Sequence, residues 1–118
     1  MSSPSEPRDV AEFPYHDVGP TSAVAVGESI AFEKGDRRFI VCNTGDGLYA
    51  VAERCTHAAW SLAGSALERF ELICSLHGAR FDVRTGAATA PPASKPLRTF
   101  PVKTRGGRIL VALPPPVV

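Results

Sequence analysis

The 118-residue sequence has no long hydrophobic run and no strong excess of either charge. No stretch approaches the roughly 18 continuous apolar residues that mark a membrane-spanning helix. Thirteen basic side chains against twelve acidic ones give a formal net charge of +1, whereas proteins that bind phosphate backbones need a dense positive surface. We therefore expect neither a membrane nor a nucleic acid as partner.

Cysteine is also scarce, with only three residues in the chain. A secreted domain framed by disulfides uses a larger and even number of cysteines. The first ten residues, MSSPSEPRDV, lack the basic start and the apolar core of a signal peptide. These features predict a soluble, cytoplasmic protein whose reduced cysteines, lying near histidines, bind metal.

No segment shows a sustained helical period, and the length fits a single domain. Runs rich in β-branched and aromatic residues alternate with glycine-containing turns, which predicts an antiparallel all-β fold. The helix pattern is weak throughout, although WSLAGSALERF, residues 60–70, could hold one turn. The sequence APPASKP, residues 90–96, predicts an irregular proline loop. Strands are predicted at 28–33, 37–43, 47–53, 70–76, 97–104 and 108–113.

Two short segments hold most of the good metal ligands. Cys55 and His57 form a C-x-H pair, Cys74 and His77 form a C-x-x-H pair, and sixteen residues separate the pairs. A common zinc finger places two cysteines on one segment and two histidines on another. One Cys and one His from each segment instead suit a two-iron centre in which one iron binds both thiolates and the other both imidazoles. A structural zinc site remains the alternative.

The motifs CTHAAW and CSLHGARFD resemble the Rieske [2Fe-2S] motif. Over residues 24–113 the chain resembles the small Rieske ferredoxins of bacterial aromatic-ring-hydroxylating dioxygenase systems, such as those for biphenyl, naphthalene and carbazole. The resemblance implies one Rieske-type [2Fe-2S] cluster as cofactor. In this chain Cys55 and Cys74 would ligate one iron, and His57 and His77 the other.

The same resemblance implies a fold and its subdivision. The single domain 1–118 would have a Rieske-type antiparallel β-sandwich or barrel-like base. A small cluster-binding subdomain, at about 53–82, would lie at one end of this base. Residues 90–93 would form a proline loop that covers the cluster from a third side.

The sequence departs from the high-potential Rieske proteins of respiratory complexes. Those proteins join the two ligand loops by a disulfide, but Trp60 and Leu76 occupy the corresponding positions here. Those proteins also direct Ser and Tyr hydroxyls at sulfur atoms, where this chain has Ala79 and Phe81. Fewer hydrogen bonds leave the reduced state less stabilised, so we expect a potential near the lower end of the range of about −150 to +300 mV.

No catalytic motif accompanies the ligands, and a mononuclear-iron site of two histidines and a carboxylate is missing from the pattern. We therefore expect a one-electron carrier rather than an enzyme. The family resemblance implies an NAD(P)H-dependent flavoprotein reductase as donor and a terminal ring-hydroxylating oxygenase as acceptor. Both would dock transiently at the His57/His77 end of a monomer. The alternatives are a small Rieske subunit of assimilatory nitrite reductase, a carrier for a non-aromatic oxygenase, and a zinc-binding module.

Other candidate residues receive ordinary interpretations. Cys42 alternates within a strand pattern and is interpreted as a core residue. His16 has no second ligand at metal spacing, so it is interpreted as a surface or strand-edge histidine. Trp60 either packs under the first loop or remains exposed as an interface anchor. Charged residues near the loops are expected to be mostly solvated, with some of them steering the docking of partners; they are Glu53, Arg54, Glu68, Arg69, Glu71 and Arg80.

Overall fold

The computed structural model describes residues 13–56 and 60–114, so the predicted ligand His57 lies outside the described residues. Within these ranges the chain forms eleven strands and one short 3-10 helix, and no helix there is long and apolar enough to cross a membrane. All strand pairs described are antiparallel. The strands are β1 (Tyr15–Pro20), β2 (Ser29–Lys34), β3 (Arg37–Asn43), β4 (Leu48–Ala52), β5 (Ala66–Glu68), β6 (Glu71–Ile73), β7 (Arg80–Asp82), β8 (Ala88–Ala90), β9 (Thr99–Phe100), β10 (Val102–Arg105) and β11 (Arg108–Ala112).

Two sheets form the base of the molecule. One has the strand order β2-β3-β4-β9 and the other has the order β1-β11-β10. Phe39 and Val41 of the first sheet pack with Ile109 and Val111 of the second in one buried cluster. Phe100 meets the ring of Phe39 edge-on, with the ring centroids 6.4 Å apart. These contacts hold the two sheets together in the predicted all-β base.

The third sheet has the order β5-β6-β7-β8 and packs on the opposite face of strand β3. Because successive side chains of a strand point to opposite faces, β3 serves two cores. Phe39 and Val41 face the base cluster, whereas Ile40 and Cys42 belong to a second cluster with Leu72 of β6. This second cluster also contains Phe81, Val83, Cys55 and Cys74. Strand β3 therefore joins the base to the region that carries the predicted ligands.

Cys42 is fully buried in this second cluster, which confirms its interpretation as a core residue. Burial raises the pKa of its thiol to about 12, because a thiolate is poorly solvated in apolar surroundings. The thiol is thus protonated and unreactive at neutral pH. His16 lies on β1, an edge strand of its sheet, as expected.

The segment 60–70 contains strand β5 instead of the suggested helical turn. Residues 66–68 pair with β6, with Leu67 opposite Leu72. The helix pattern there is weak, and pairing with β6 supplies backbone partners for a strand too short for a periodic signal. The sequence also gives no prediction of strands β1, β7 and β8, because each is short or has few β-branched residues.

Candidate metal centre

The two ligand loops are closed by the same kind of backbone hydrogen bond. Cys55 N–H donates to the carbonyl of Trp60 (2.8 Å), and Cys74 N–H donates to the carbonyl of Ala79 (2.7 Å). Each cysteine thus begins a loop whose other end lies five residues later. In the second loop Gly78 N–H also donates to the Cys74 carbonyl, at 2.9 Å. The loops therefore present their cysteines in equivalent positions.

Burial differs between the predicted ligand types. Cys55 is 4% exposed and Cys74 is 0% exposed, and neither forms a disulfide. His77, three residues beyond Cys74, is exposed. A Rieske centre needs two thiolates on one iron and two imidazoles on the other. The three predicted ligands that the structure describes are compatible with this requirement, with both thiols on the inner side and the His77 imidazole on the outer side.

Within 13–56 and 60–114, no group of three or more His, Cys, Asp or Glu side chains gathers closely enough to hold one metal ion. A two-iron cluster does not require such a group, because each iron takes two protein ligands and shares the sulfides. Three of the four predicted ligands, Cys55, Cys74 and His77, lie in the described loops. The fourth, His57, is outside the described residues.

Side-chain hydrogen bonds tie the loops to each other and to the proline loop. Trp60 Nε1–H donates to Ser75 Oγ at 3.3 Å, and the Thr56 hydroxyl donates to the Lys95 carbonyl at 2.7 Å. Trp60 nevertheless remains 42% exposed. Trp60 thus lies on the exposed side of the two alternatives, and its indole N–H links the two loops.

The proline loop packs against the same core as the cysteines. Ala93 and Leu97 are buried in the cluster that contains Cys55 and Cys74. Leu76, on the second ligand loop, is half-buried against this cluster. The three segments therefore enclose the thiols jointly.

Arg80 is an exception to the expectation that the charged residues near the loops are mostly solvated. Its Nη1 lies 2.8 Å from Glu68 Oε1 and 3.1 Å from Glu71 Oε1, which joins strands β5, β6 and β7. A hydrogen bond from Thr89, together with Arg80, holds the pKa of Glu71 below its usual value. Sequence reasoning missed this contact because it depends on the pairing of Ile73 with Arg80 across two strands.

Comparison with known proteins identifies the family. The family model of the Rieske [2Fe-2S] domain matches residues 15–101. The chain belongs to the Rieske [2Fe-2S] family. This membership implies one Rieske-type [2Fe-2S] cluster, which confirms the cofactor expected from the sequence.

Individual relatives of this Rieske protein are ferredoxins of dioxygenase systems. It is 47% identical over 90 residues to the ferredoxin component of biphenyl 2,3-dioxygenase from Rhodococcus jostii RHA1, covering 76% of this chain and 84% of the relative. The ferredoxin of carbazole 1,9a-dioxygenase from Nocardioides aromaticivorans IC177 superposes with a TM-score of 0.79 at 36% identity, covering 83% and 96%. A chain from a complex of reduced oxygenase and oxidized ferredoxin in carbazole 1,9a-dioxygenase gives 0.78 at 30% identity, covering 83% and 92%.

Substitutions at the end of the second loop and on strand β7 should raise the reduction potential. Ala79 and Phe81 are fully buried with Cys74, so a hydroxyl added by Ala79→Ser or Phe81→Tyr would lack water and seek a sulfur acceptor. Because such a hydrogen bond is stronger in the more negative reduced state, the reduction potential of each variant should be about 50 mV higher than that of the wild type. Protein-film voltammetry measures this shift. The control Ala66→Ser, on an exposed strand position, should keep the wild-type potential. Unchanged potentials in both Ala79→Ser and Phe81→Tyr would contradict the explanation.

Proposed function

We propose that this protein is the ferredoxin component of an aromatic-ring-hydroxylating dioxygenase system. It carries single electrons and is not itself an enzyme. The observation that carries this proposal is the pair of matched loops with buried Cys55 and Cys74 and exposed His77, in a chain whose relatives are ferredoxins of such systems. When bound, the [2Fe-2S] cluster accepts and releases one electron.

Four residues hold the cluster in this proposal. Cys55 and Cys74 ligate one iron as thiolates, and His57 and His77 ligate the other as neutral imidazoles. Two thiolates offset the formal positive charge of the ferric ions and sulfides, whereas four would leave a negative site that resists a further electron. The burial of Cys55 and Cys74 keeps water away from sulfur, and the exposure of His77 places this residue at the surface, where a partner protein can contact it.

The partners dock in turn at the His57/His77 end. The donor is an NAD(P)H-dependent flavoprotein reductase, and the acceptor is a terminal oxygenase. Exposed Trp60 and His77 both lie on the ligand loops, and an aromatic residue with a polar edge suits a small, short-lived interface. We place the protein in the cytoplasm as a soluble monomer that binds neither membrane nor nucleic acid.

The domain division follows from the same proposal. Residues 1–118 make one Rieske domain, and a cluster-binding subdomain at about 53–82 carries both ligand loops. The sheet of strands β5 to β8, which packs with Cys55 and Cys74 in one buried cluster, supports this division.

Spectroscopy and turnover together test the function. The anaerobically reduced protein should give a rhombic electron paramagnetic resonance signal of low average g, with two irons per chain. Mixed with the reductase and oxygenase of a biphenyl dioxygenase, it should restore NADH-dependent substrate oxidation. One zinc without iron after anaerobic reconstitution would overturn the proposal. A Rieske signal without turnover would instead contradict the ferredoxin role.

A further inference from the structure

Three arginines lie side by side at the end of the base sheet that leads into the first ligand loop. Arg38 is on β3, Arg54 follows β4, and Arg98 precedes β9. The pairing of Phe39 with Ala52 and a hydrogen bond from Ala52 N–H to the Arg98 carbonyl (2.9 Å) bring these positions together. They line a groove of about 430 Å³ with Asp36, Arg37, Ala52, Glu53 and Phe100. We call Arg38, Arg54 and Arg98 the arginine patch.

The lining of this groove carries a formal positive charge. Its lining holds four arginines and two carboxylates, a formal excess of +2 in a chain whose total is +1. Glu53 accepts a hydrogen bond from the Ser61 hydroxyl (2.9 Å) and lies 4.0 Å from Arg38. The Arg38 side chain nevertheless remains 64% exposed. Arg54 and Arg98 are exposed as well, so the charge of the arginine patch faces solvent.

Other arginines of the chain lie closer to carboxylates. Arg80, Arg84 and Arg108 each have a carboxylate oxygen within 2.9 Å. Among the described residues, Arg54 and Arg98 have no carboxylate within 4.0 Å. The guanidinium carbon of Arg98 lies 5.3 Å from the centroid of the Phe100 ring, a contact that orients the cation without neutralising it.

The arginine patch adjoins the electron-transfer site. Arg54 directly precedes Cys55 in the chain, so their Cα atoms are about 3.8 Å apart. Arg98 follows Leu97, which is buried in the same cluster as Cys55 and Cys74. A protein seated on the patch would therefore also contact the edge of the first ligand loop.

We propose that the arginine patch receives a carboxylate-rich face of a redox partner protein and extends the docking face beyond the ligand histidines. This inference rests on the proposed function. A guanidinium presents a planar fork of donors that matches a carboxylate. In a transient complex such complementary charge mainly accelerates encounter, and salt weakens it.

Small oxidants of opposite charge test whether the arginine patch attracts anions. The reduced wild-type protein, the double variant Arg54→Gln/Arg98→Gln and the control Arg105→Gln are oxidised in a stopped-flow instrument. Arg105 ends β10 in the other base sheet, is exposed, and has no ion pair among the described residues. With anionic Fe(III)-EDTA at low salt, the double variant should react roughly threefold or more slowly than wild type. With cationic hexaamminecobalt(III) it should not be slower. Equal rates with the anion would overturn the inference.

The oxygenase and the reductase of a biphenyl dioxygenase system test the partner. Biolayer interferometry gives the association rate with the oxidised protein, and stopped flow gives the electron-transfer rate. With at least one partner, the double variant should associate roughly tenfold more slowly at low salt, and the difference should vanish at about 0.5 M salt. Arg105→Gln should behave as wild type. Unchanged rates with both partners would contradict the docking role of the arginine patch without affecting the proposed function. A wild-type protein that transfers no electrons to or from either partner would contradict both.

Discussion

A His77→Ala variant is expected to lose the rhombic Rieske signal of the reduced wild-type protein and most of its iron. His77 is exposed at the tip of the second loop, and alanine offers no donor atom in its place. An iron with one imidazole ligand instead of two is open to water and is readily lost. His57→Ala, at a position outside the described residues, should have the same effect.

The third histidine of the chain supplies a matched control. His16 lies on β1 in the base, and it belongs to a sheet that carries none of the predicted ligands. His16→Ala should therefore retain the wild-type spectrum and iron content. Among the cysteines, Cys55→Ala and Cys74→Ala should lose the signal, whereas Cys42→Ala should keep it because Cys42 is a protonated core thiol. Iron analysis and electron paramagnetic resonance on the same samples measure these differences.

A His77→Cys variant separates ligation from folding. Cysteine supplies a thiolate where the imidazole was, so the variant should assemble a cluster with altered g values and a lower potential, because the site gains negative charge. A role of His77 in packing alone predicts no such change. Retention of the wild-type signal by His77→Ala would show that the ligand set is wrong.

Strand β3 illustrates what the sequence allows one to predict about the fold. The sequence pattern predicts a strand at 37–43, and β3 spans Arg37–Asn43. The buried run Phe39–Cys42 lies between two glycine turns and serves two cores, so its apolar signal is strong. Strands β7 and β8 have three residues each, and their pairing is determined by neighbouring strands rather than by their own composition.

The candidate ligands are easier to predict from the sequence than the contacts that surround them. Spacing singles out Cys55, His57, Cys74 and His77 as candidate ligands, because motif residues are close in sequence, and the family resemblance implies how they divide between two irons. The bond from Trp60 to Ser75 spans 15 positions, and the bond from Thr56 to Lys95 spans 39. Such contacts depend on how loops from separate parts of the chain meet, and neither residue type nor spacing encodes that meeting.

A Gly86→Ala variant is expected to be the most destabilised glycine variant among the described residues. Gly86 has φ +85°, and an added Cβ would lie 2.2 Å from the Leu97 carbonyl oxygen. Two backbone hydrogen bonds keep Gly86 in this position, one from Gly86 N–H to the Asp82 carbonyl (2.6 Å) and one from Leu97 N–H to the Gly86 carbonyl (2.7 Å). A backbone atom cannot rotate away as a side chain can. The free energy of unfolding should therefore fall by about 3 kcal/mol or more.

Gly64→Ala separates the strain of positive φ from this contact. Gly64 has φ +78°, but no described atom outside its chain neighbours lies within 4 Å of the place that an added Cβ would occupy. The substitution should therefore cost only about 1 kcal/mol. Urea denaturation followed by circular dichroism compares the two variants. Equal losses of stability would show that the close approach to Leu97 contributes nothing beyond backbone strain.

The Gly86→Ala substitution should also affect the metal centre through the proline loop. Leu97 anchors the end of this loop in the cluster that buries Cys55 and Cys74, and Thr56 of the first ligand loop donates to the Lys95 carbonyl (2.7 Å). Displacing Leu97 would loosen both contacts and admit water to the thiols. An iron chelator should therefore remove the cluster faster from Gly86→Ala than from Gly64→Ala, at a urea concentration where both remain folded. The loss of visible absorption measures this rate. Equal rates of loss would mean that the proline loop does not protect the cluster, and that the damage is confined to the turn between β7 and β8.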